Sequence, residues 1–117
     1  MPHVVLEVTD NLPEAAEVGP LLAELAKAIG GIESVDPKAV KVYANVRQHW
    51  AMGQGASPGF CHLTICVLSG RPLELRRQMA DRLYSVLRSH FSRSLASGLA
   101  SSTLEVREMD AQTYRKG

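Results

Sequence analysis

The sequence predicts an α+β fold in one domain spanning residues 1–117, with two β-α-β units sharing one sheet. Three observations carry that expectation. Four stretches alternate apolar and polar residues with the period of a strand, and two repeat apolar residues with the period of a helix. Clusters of Gly, Pro, Asn and Asp separate them. The 117 residues are 45% hydrophobic, enough for one core. A formal net charge of +1 gives no general attraction to nucleic acid or to an anionic membrane. No apolar run is long enough to span a bilayer, and Glu7 and Asp10 interrupt any secretory leader. The expectation is a soluble, cytoplasmic protein with no nucleic-acid or membrane partner.

From Pro2 to Thr9, Val4, Leu6 and Val8 point one way, while His3, Val5, Glu7 and Thr9 point the other. A helix start follows, with Asn11 placed to cap, Glu14 to complete a capping box and Pro13 in the first turn. Ala15, Val18, Leu21, Leu22, Leu25, Ala26 and Ile29 form its apolar stripe, and Gly30-Gly31 ends it. Pro20 falls inside this run, so the helix is split or kinked there, or it begins near Val18. After a turn at Asp36-Pro37, residues Ala39 to Trp50 alternate. Val40, Val42, Ala44 and Val46 share one face; Lys41, Tyr43, Asn45 and Arg47 share the other.

Three glycines and a proline within Met52 to Gly59 make a loop. Phe60 to Leu68 is the strongest strand, with Cys61, Leu63, Ile65 and Val67 on one apolar face. Ser69-Gly70-Arg71-Pro72 turns into a second helix with Pro72 at its first position. Its buried stripe is Leu73, Met79, Leu83, Val86, Leu87 and Phe91. The Ser/Ala/Gly-rich stretch Ser92 to Ser102 loosens its end, and a last strand runs from Thr103 to Met109 with Leu104 and Val106 inward. An irregular tail covers about 110–117. Right-handed crossovers lay both helices on the same face of the sheet. The other face keeps Val5, Tyr43, Phe60, Cys66 and Leu68, which predicts a homo-oligomer that covers it. Cys61 and Cys66 fall on opposite faces, so they cannot bridge each other and read as small buried hydrophobes. With His62 between them they do not have zinc-ligand spacing.

The chemistry centres on Pro2. If Met1 is trimmed, Pro2 becomes the amino terminus and its nitrogen a free secondary amine, which no internal proline offers. Such an amine titrates near 8, roughly, and burial or neighbouring cations lower it toward neutrality. A base of that strength suits proton transfer at carbon. Taken alone, Pro2 reads as a strand opener, Lys41 as a solvated strand residue and Arg71 as a turn residue. Together they form a pattern. Lys41 lies early in the second strand, and Arg71 sits at the mouth of the second helix, where backbone N–H groups also favour an anion. These cations can hold a carboxylate and stabilise an enolate. His3 and His62 read as structural, and His90 as a surface residue near a helix C-terminus. His49 and Trp50 border the glycine-rich loop as candidates for a pocket mouth.

The stretches MPHVVLEVTDN, HWAMGQG and FCHLTICVLSGRPLELRRQMADRLYSVLRSHF carry a resemblance to the 5-carboxymethyl-2-hydroxymuconate isomerase family of the tautomerase superfamily, from Pro2 to about Glu108. The resemblance implies a β-α-β-β-α-β subunit with a four-stranded mixed sheet, two helices on one face and a homotrimer. It implies catalysis by Pro2 as general base and acid, with no metal or organic cofactor. The implied substrate is a small unsaturated 2-oxo or 2-hydroxy di- or tricarboxylate from aromatic breakdown. Pro2 matches the catalytic proline and Arg71 an active-site arginine. Lys41 stands where the family has its other arginine, which keeps the charge but loses the two-pronged grip. The tail is shorter than the family's pattern. Two alternatives stay open. One is another Pro2-dependent enzyme, a hydratase or dehalogenase, with Glu7 as a weak candidate to activate water. The other is an inactive trimeric binding module that retains Met1.

Overall fold

The computed structural model describes residues 2–117. Strand β1 (His3–Thr9) is followed by helix α1 (Val18–Gly30), strands β2 (Lys41–Arg47) and β3 (Gly59–Leu68), helix α2 (Leu73–His90), a short helix α3 (Ser92–Ala96) and strand β4 (Ala100–Met109). The sheet order is β2-β1-β3-β4. β1 runs parallel to β2 and antiparallel to β3, and β3 runs parallel to β4, so the sheet is mixed, as expected. Each parallel pair is joined across a helix.

One face of the sheet meets both helices. Val4, Leu6 and Val8 of β1 and Cys61, Leu63, Ile65 and Val67 of β3 are buried there against Leu21, Leu25 and Ile29 of α1 and Met79, Leu83 and Leu87 of α2. The alternation read from the sequence is thus the alternation of burial along β1 and β3. The opposite face stays open. Tyr43 there is 49% exposed, and Val5, Phe60, Cys66 and Leu68 are half-buried. Both thiols are free. Burial pushes the Cys61 thiol up to about 12, so it is an inert core group.

Several local expectations need correction, among them Leu73, expected in the buried stripe of α2 but 51% exposed. The first helical stretch does not start on an Asn11 cap. A 3-10 turn, Pro13–Glu17, comes first, and α1 begins at Val18, which leaves Pro20 in the first turn where no N–H is needed. Glu14 completes no capping box. Its carboxylate accepts from the backbone N–H and the hydroxyl of Ser94, far along the chain. Ser92 to Ala96 is helical rather than loose, because Glu14 satisfies a donor at its start. β4 begins at Ala100 rather than Thr103, since Gly59 of β3 already pairs there. His90 is also half-buried, its Nε2 donating to the Glu14 carbonyl at 3.2 Å.

Candidate active site

The topology gathers three strand ends at one edge of the sheet. β1 and β2 start there and β3 finishes there, with His3 facing Lys41 on one side and Cys66 on the other. Pro2 opens the central strand β1 and is buried. Its carbonyl accepts the Lys41 backbone N–H at 3.1 Å, so Lys41 begins β2 directly beside it. Arg71 lies just past the end of β3, beyond the Ser69-Gly70 turn, where Gly70 takes a φ of +114 that an L side chain rarely adopts. Pro2, Lys41 and Arg71 therefore share one end of the sheet.

Their side chains differ in setting. Lys41 is exposed, its ammonium 3.5 Å from the Ala39 carbonyl. Register places Lys41 and His3 together on the open face, while Pro2 falls on the side of Val4 and Leu6. Arg71 is half-buried and held. Its Nε donates to Ser34 Oγ and its Nη2 to the Ser34 carbonyl, both at 3.1 Å. The Arg71 carbonyl in turn accepts from Arg76 Nε at 3.3 Å. The long axis of α2 starts immediately after, with Pro72 at its N-cap rather than inside it, so its first N–H groups open toward this edge.

His3 marks the electrostatics. Burial first, and then the Lys41 ammonium, hold its imidazole below the ordinary value of 6.5. The neutral ring meets the Tyr114 hydroxyl at 3.0 Å through Nε2, with ring centroids 6.1 Å apart. The tail after β4, read as irregular, thus turns back through Asp110, whose carbonyl accepts the Tyr114 N–H at 3.0 Å, and lays Tyr114 against His3 of β1. The signal for this contact was slight: one aromatic residue in an otherwise polar tail.

Other candidates lie elsewhere. His49 and Trp50 follow the far end of β2, opposite Pro2 within the subunit, where Trp50 Nε1 donates to the Pro58 carbonyl at 3.0 Å and pins the glycine-rich loop. His62 is part of a polar row on the open face, with Nδ1 2.6 Å from Thr103 Oγ1 and Nε2 3.1 Å from Thr64 Oγ1. Glu7 accepts from Arg47 Nε at 2.6 Å, Arg47 Nη2 at 3.0 Å and Asn45 Nδ2 at 3.0 Å. The Arg47 hydrogen bonds hold its carboxyl below the ordinary range. A carboxylate so occupied is poorly suited to activating water. A cleft of about 370 Å³ lies between α2 and β4, lined by Ala80, Asp81, Tyr84, Ser102, Thr103 and Leu104, and includes none of the three candidates. Among the described residues no group of three or more His, Cys, Asp or Glu could hold a metal ion, and no helix is long and apolar enough to cross a membrane.

Comparison with known proteins bears on this arrangement. The family model described as 5-carboxymethyl-2-hydroxymuconate isomerase matches residues 2–117. The 5-carboxymethyl-2-hydroxymuconate Delta-isomerase of Escherichia coli is 26% identical over 110 residues, which cover 93% of this chain and 87% of that protein. The crystal structure of a 5-carboxymethyl-2-hydroxymuconate isomerase from Deinococcus radiodurans R1 superposes with a TM-score of 0.90 at 27% identity, covering 99% of this chain and 88% of that one. A fused 4-OT described as a symmetric trimer shares the fold at 13% identity, with a TM-score of 0.73 and coverage of 97% and 90%. The chain belongs to the 5-carboxymethyl-2-hydroxymuconate isomerase family of the tautomerase superfamily, a family of isomerases.

Proposed function

We propose that the protein is an isomerase in which Pro2, freed of Met1, shifts a proton within an unsaturated 2-oxo or 2-hydroxy carboxylate such as 5-carboxymethyl-2-hydroxymuconate. The observation that carries this reading is the meeting of a buried Pro2 with Lys41 and Arg71 at one end of the sheet. The burial and Lys41 charge that act on the adjacent His3 also disfavour the charged form of an amine at Pro2. The neutral amine takes a proton from the enol hydroxyl of a 2-hydroxy substrate, or from the carbon next to the carbonyl of a 2-oxo one, and the electrons pass into the conjugated system as a dienolate. Lys41 and Arg71 bind carboxylate and offset that negative charge. The ammonium of Pro2 then returns the proton further along the chain, so substrate and product have the same mass. No metal or organic cofactor is part of the mechanism.

The apolar residues of the open sheet face support a homotrimer in which neighbouring subunits cover them. Sedimentation showing only monomer at micromolar concentration contradicts that part of the reading. A small carboxylate is the expected partner, and the cytoplasm the expected compartment. Proton NMR of the product, followed for wild type and Pro2→Ala, tests the chemistry. Pro2→Ala keeps a primary amine, so the rate should fall without vanishing; an unchanged rate removes Pro2 from the mechanism, and a hydrated product removes isomerisation.

A further inference from the structure

Arginine grips the two oxygens of a carboxylate along a side-on edge, formed by Nε–H and one Nη–H, or end-on through its two Nη atoms. In Arg71 the side-on edge is already filled. Ser34 supplies both acceptors, its hydroxyl to Nε and its own carbonyl to Nη2, each at 3.1 Å. One serine thus stands in the place of both oxygens of a carboxylate. It does so in an unusual backbone conformation. Ser34 has a φ of +74 and is the only non-glycine residue with positive φ among the described residues. L residues adopt that region at a steric cost, and glycine adopts it freely. The loop between α1 and β2 therefore holds a strained serine with both oxygens aimed at one guanidinium.

We infer that Ser34 is a positioning residue for substrate binding, an inference that rests on the Pro2-centred site proposed above. By occupying the side-on edge of Arg71, Ser34 fixes the guanidinium plane and turns the end-on Nη edge toward the ligand. The substrate carboxylate is then held end-on by Arg71, with the charge of Lys41 beside it. The same geometry explains how a lysine is tolerated at position 41: orientation comes from the pre-set Arg71, and Lys41 need supply only charge. A negative charge at position 34 would occupy the same edge and neutralise the guanidinium.

Four proteins test this: Ser34→Gly, Ser34→Asp, Arg71→Ala and the Ser34→Gly/Arg71→Ala double variant. Each is assayed for kcat and KM on 5-carboxymethyl-2-hydroxymuconate, and each is melted. Ser34→Gly deletes the hydroxyl while easing the backbone, so its melting temperature should hold or rise. Its KM should rise roughly three- to tenfold, the worth of one hydrogen bond, with kcat unchanged. Ser34→Asp should raise KM further than Ser34→Gly. In the Arg71→Ala background Ser34→Gly should have no further effect on KM, the signature of coupled residues. An unchanged or lower KM in Ser34→Gly, beside a raised KM in Arg71→Ala, overturns the role of Ser34 and leaves the site intact. An unchanged KM in Arg71→Ala removes Arg71 from substrate binding, and both readings fall with it.

Discussion

Replacing Lys41 separates charge from geometry in the proposed site. Lys41 begins β2 with its backbone N–H on the Pro2 carbonyl, while its exposed ammonium lies 3.5 Å from the Ala39 carbonyl. The ammonium is therefore free to meet an anion, but it does so from water. An ammonium 4 Å from a carboxylate gains about 1 kcal/mol in bulk water and about 4 kcal/mol near a protein surface. The exposure of Lys41 places it toward the first limit, so Lys41→Met should raise KM by roughly five- to tenfold. The steady-state loss of the dienol absorbance measures it. The ratio between wild type and Lys41→Met should shrink from low salt to physiological salt, where the screening length falls to about 8 Å. Lys41→Arg should reverse the direction. It keeps the charge and adds the two-pronged fork of a guanidinium, so KM should fall below that of wild type. A Lys41→Met protein with unchanged KM at low salt refutes the argument, because its ammonium then never faces the substrate. A salt-independent rise refutes the electrostatic part, leaving only a steric role.

Two further perturbations probe the frame around the site. Glu7 has its carboxyl held down chiefly by the Arg47 hydrogen bonds, so its contribution to stability is present above the ordinary carboxylate range and is lost as pH falls through its lowered folded value. Glu7→Gln should melt lower than wild type at pH 7, the gap should narrow as the pH falls into acid, and a gap that does not depend on pH contradicts the pairing. Gly59→Ala would bring a Cβ to 2.6 Å from both Thr9 Oγ1 and Asn11 Oδ1 and 2.9 Å from Leu12 Cδ2. Thr9 Oγ1 cannot retreat without losing the Phe60 N–H it accepts at 3.0 Å, so we expect about 2 to 4 kcal/mol of destabilisation from overpacking and the strained hydrogen bond. Denaturant unfolding at fixed protein concentration measures it, and a change below about 0.5 kcal/mol, the level of an ordinary surface substitution, contradicts the close approach.

The elements that were legible in the sequence are those whose neighbours lie along the same strand or helix. Cys61, Leu63, Ile65 and Val67 were assigned to one face by spacing alone, and all four are buried. The start of α1 was ambiguous because Asn11, Pro13 and Glu14 satisfy the local rules for a cap, while Pro20 satisfies the rule for a first turn. Only the distant Ser94 decides, by taking the Glu14 carboxylate. Helix α3 and the first rungs of β4 were illegible for the same reason, since a Ser-rich stretch acquires its structure from Glu14 and from Gly59. The site divides in the same way. Pro2, Lys41 and Arg71 stood out by residue type and by family resemblance, and strand order brings them to one edge. Tyr114 and Ser34 did not stand out. Their partners, His3 and Arg71, lie 111 and 37 positions away, and neither serine nor a tail tyrosine has a pattern that announces such a contact.

The central claim is that a free Pro2 nitrogen moves the proton. It is tested most directly by two preparations of the unmutated chain, one that has lost Met1 and one that retains it, told apart by intact mass and assayed side by side on 5-carboxymethyl-2-hydroxymuconate. With Met1 attached the Pro2 nitrogen is an amide and has no basicity. The processed protein should isomerise the substrate, and the unprocessed one should be slower by roughly 10²- to 10⁴-fold, the contribution of a positioned general base. Equal rates in the two preparations would contradict the account.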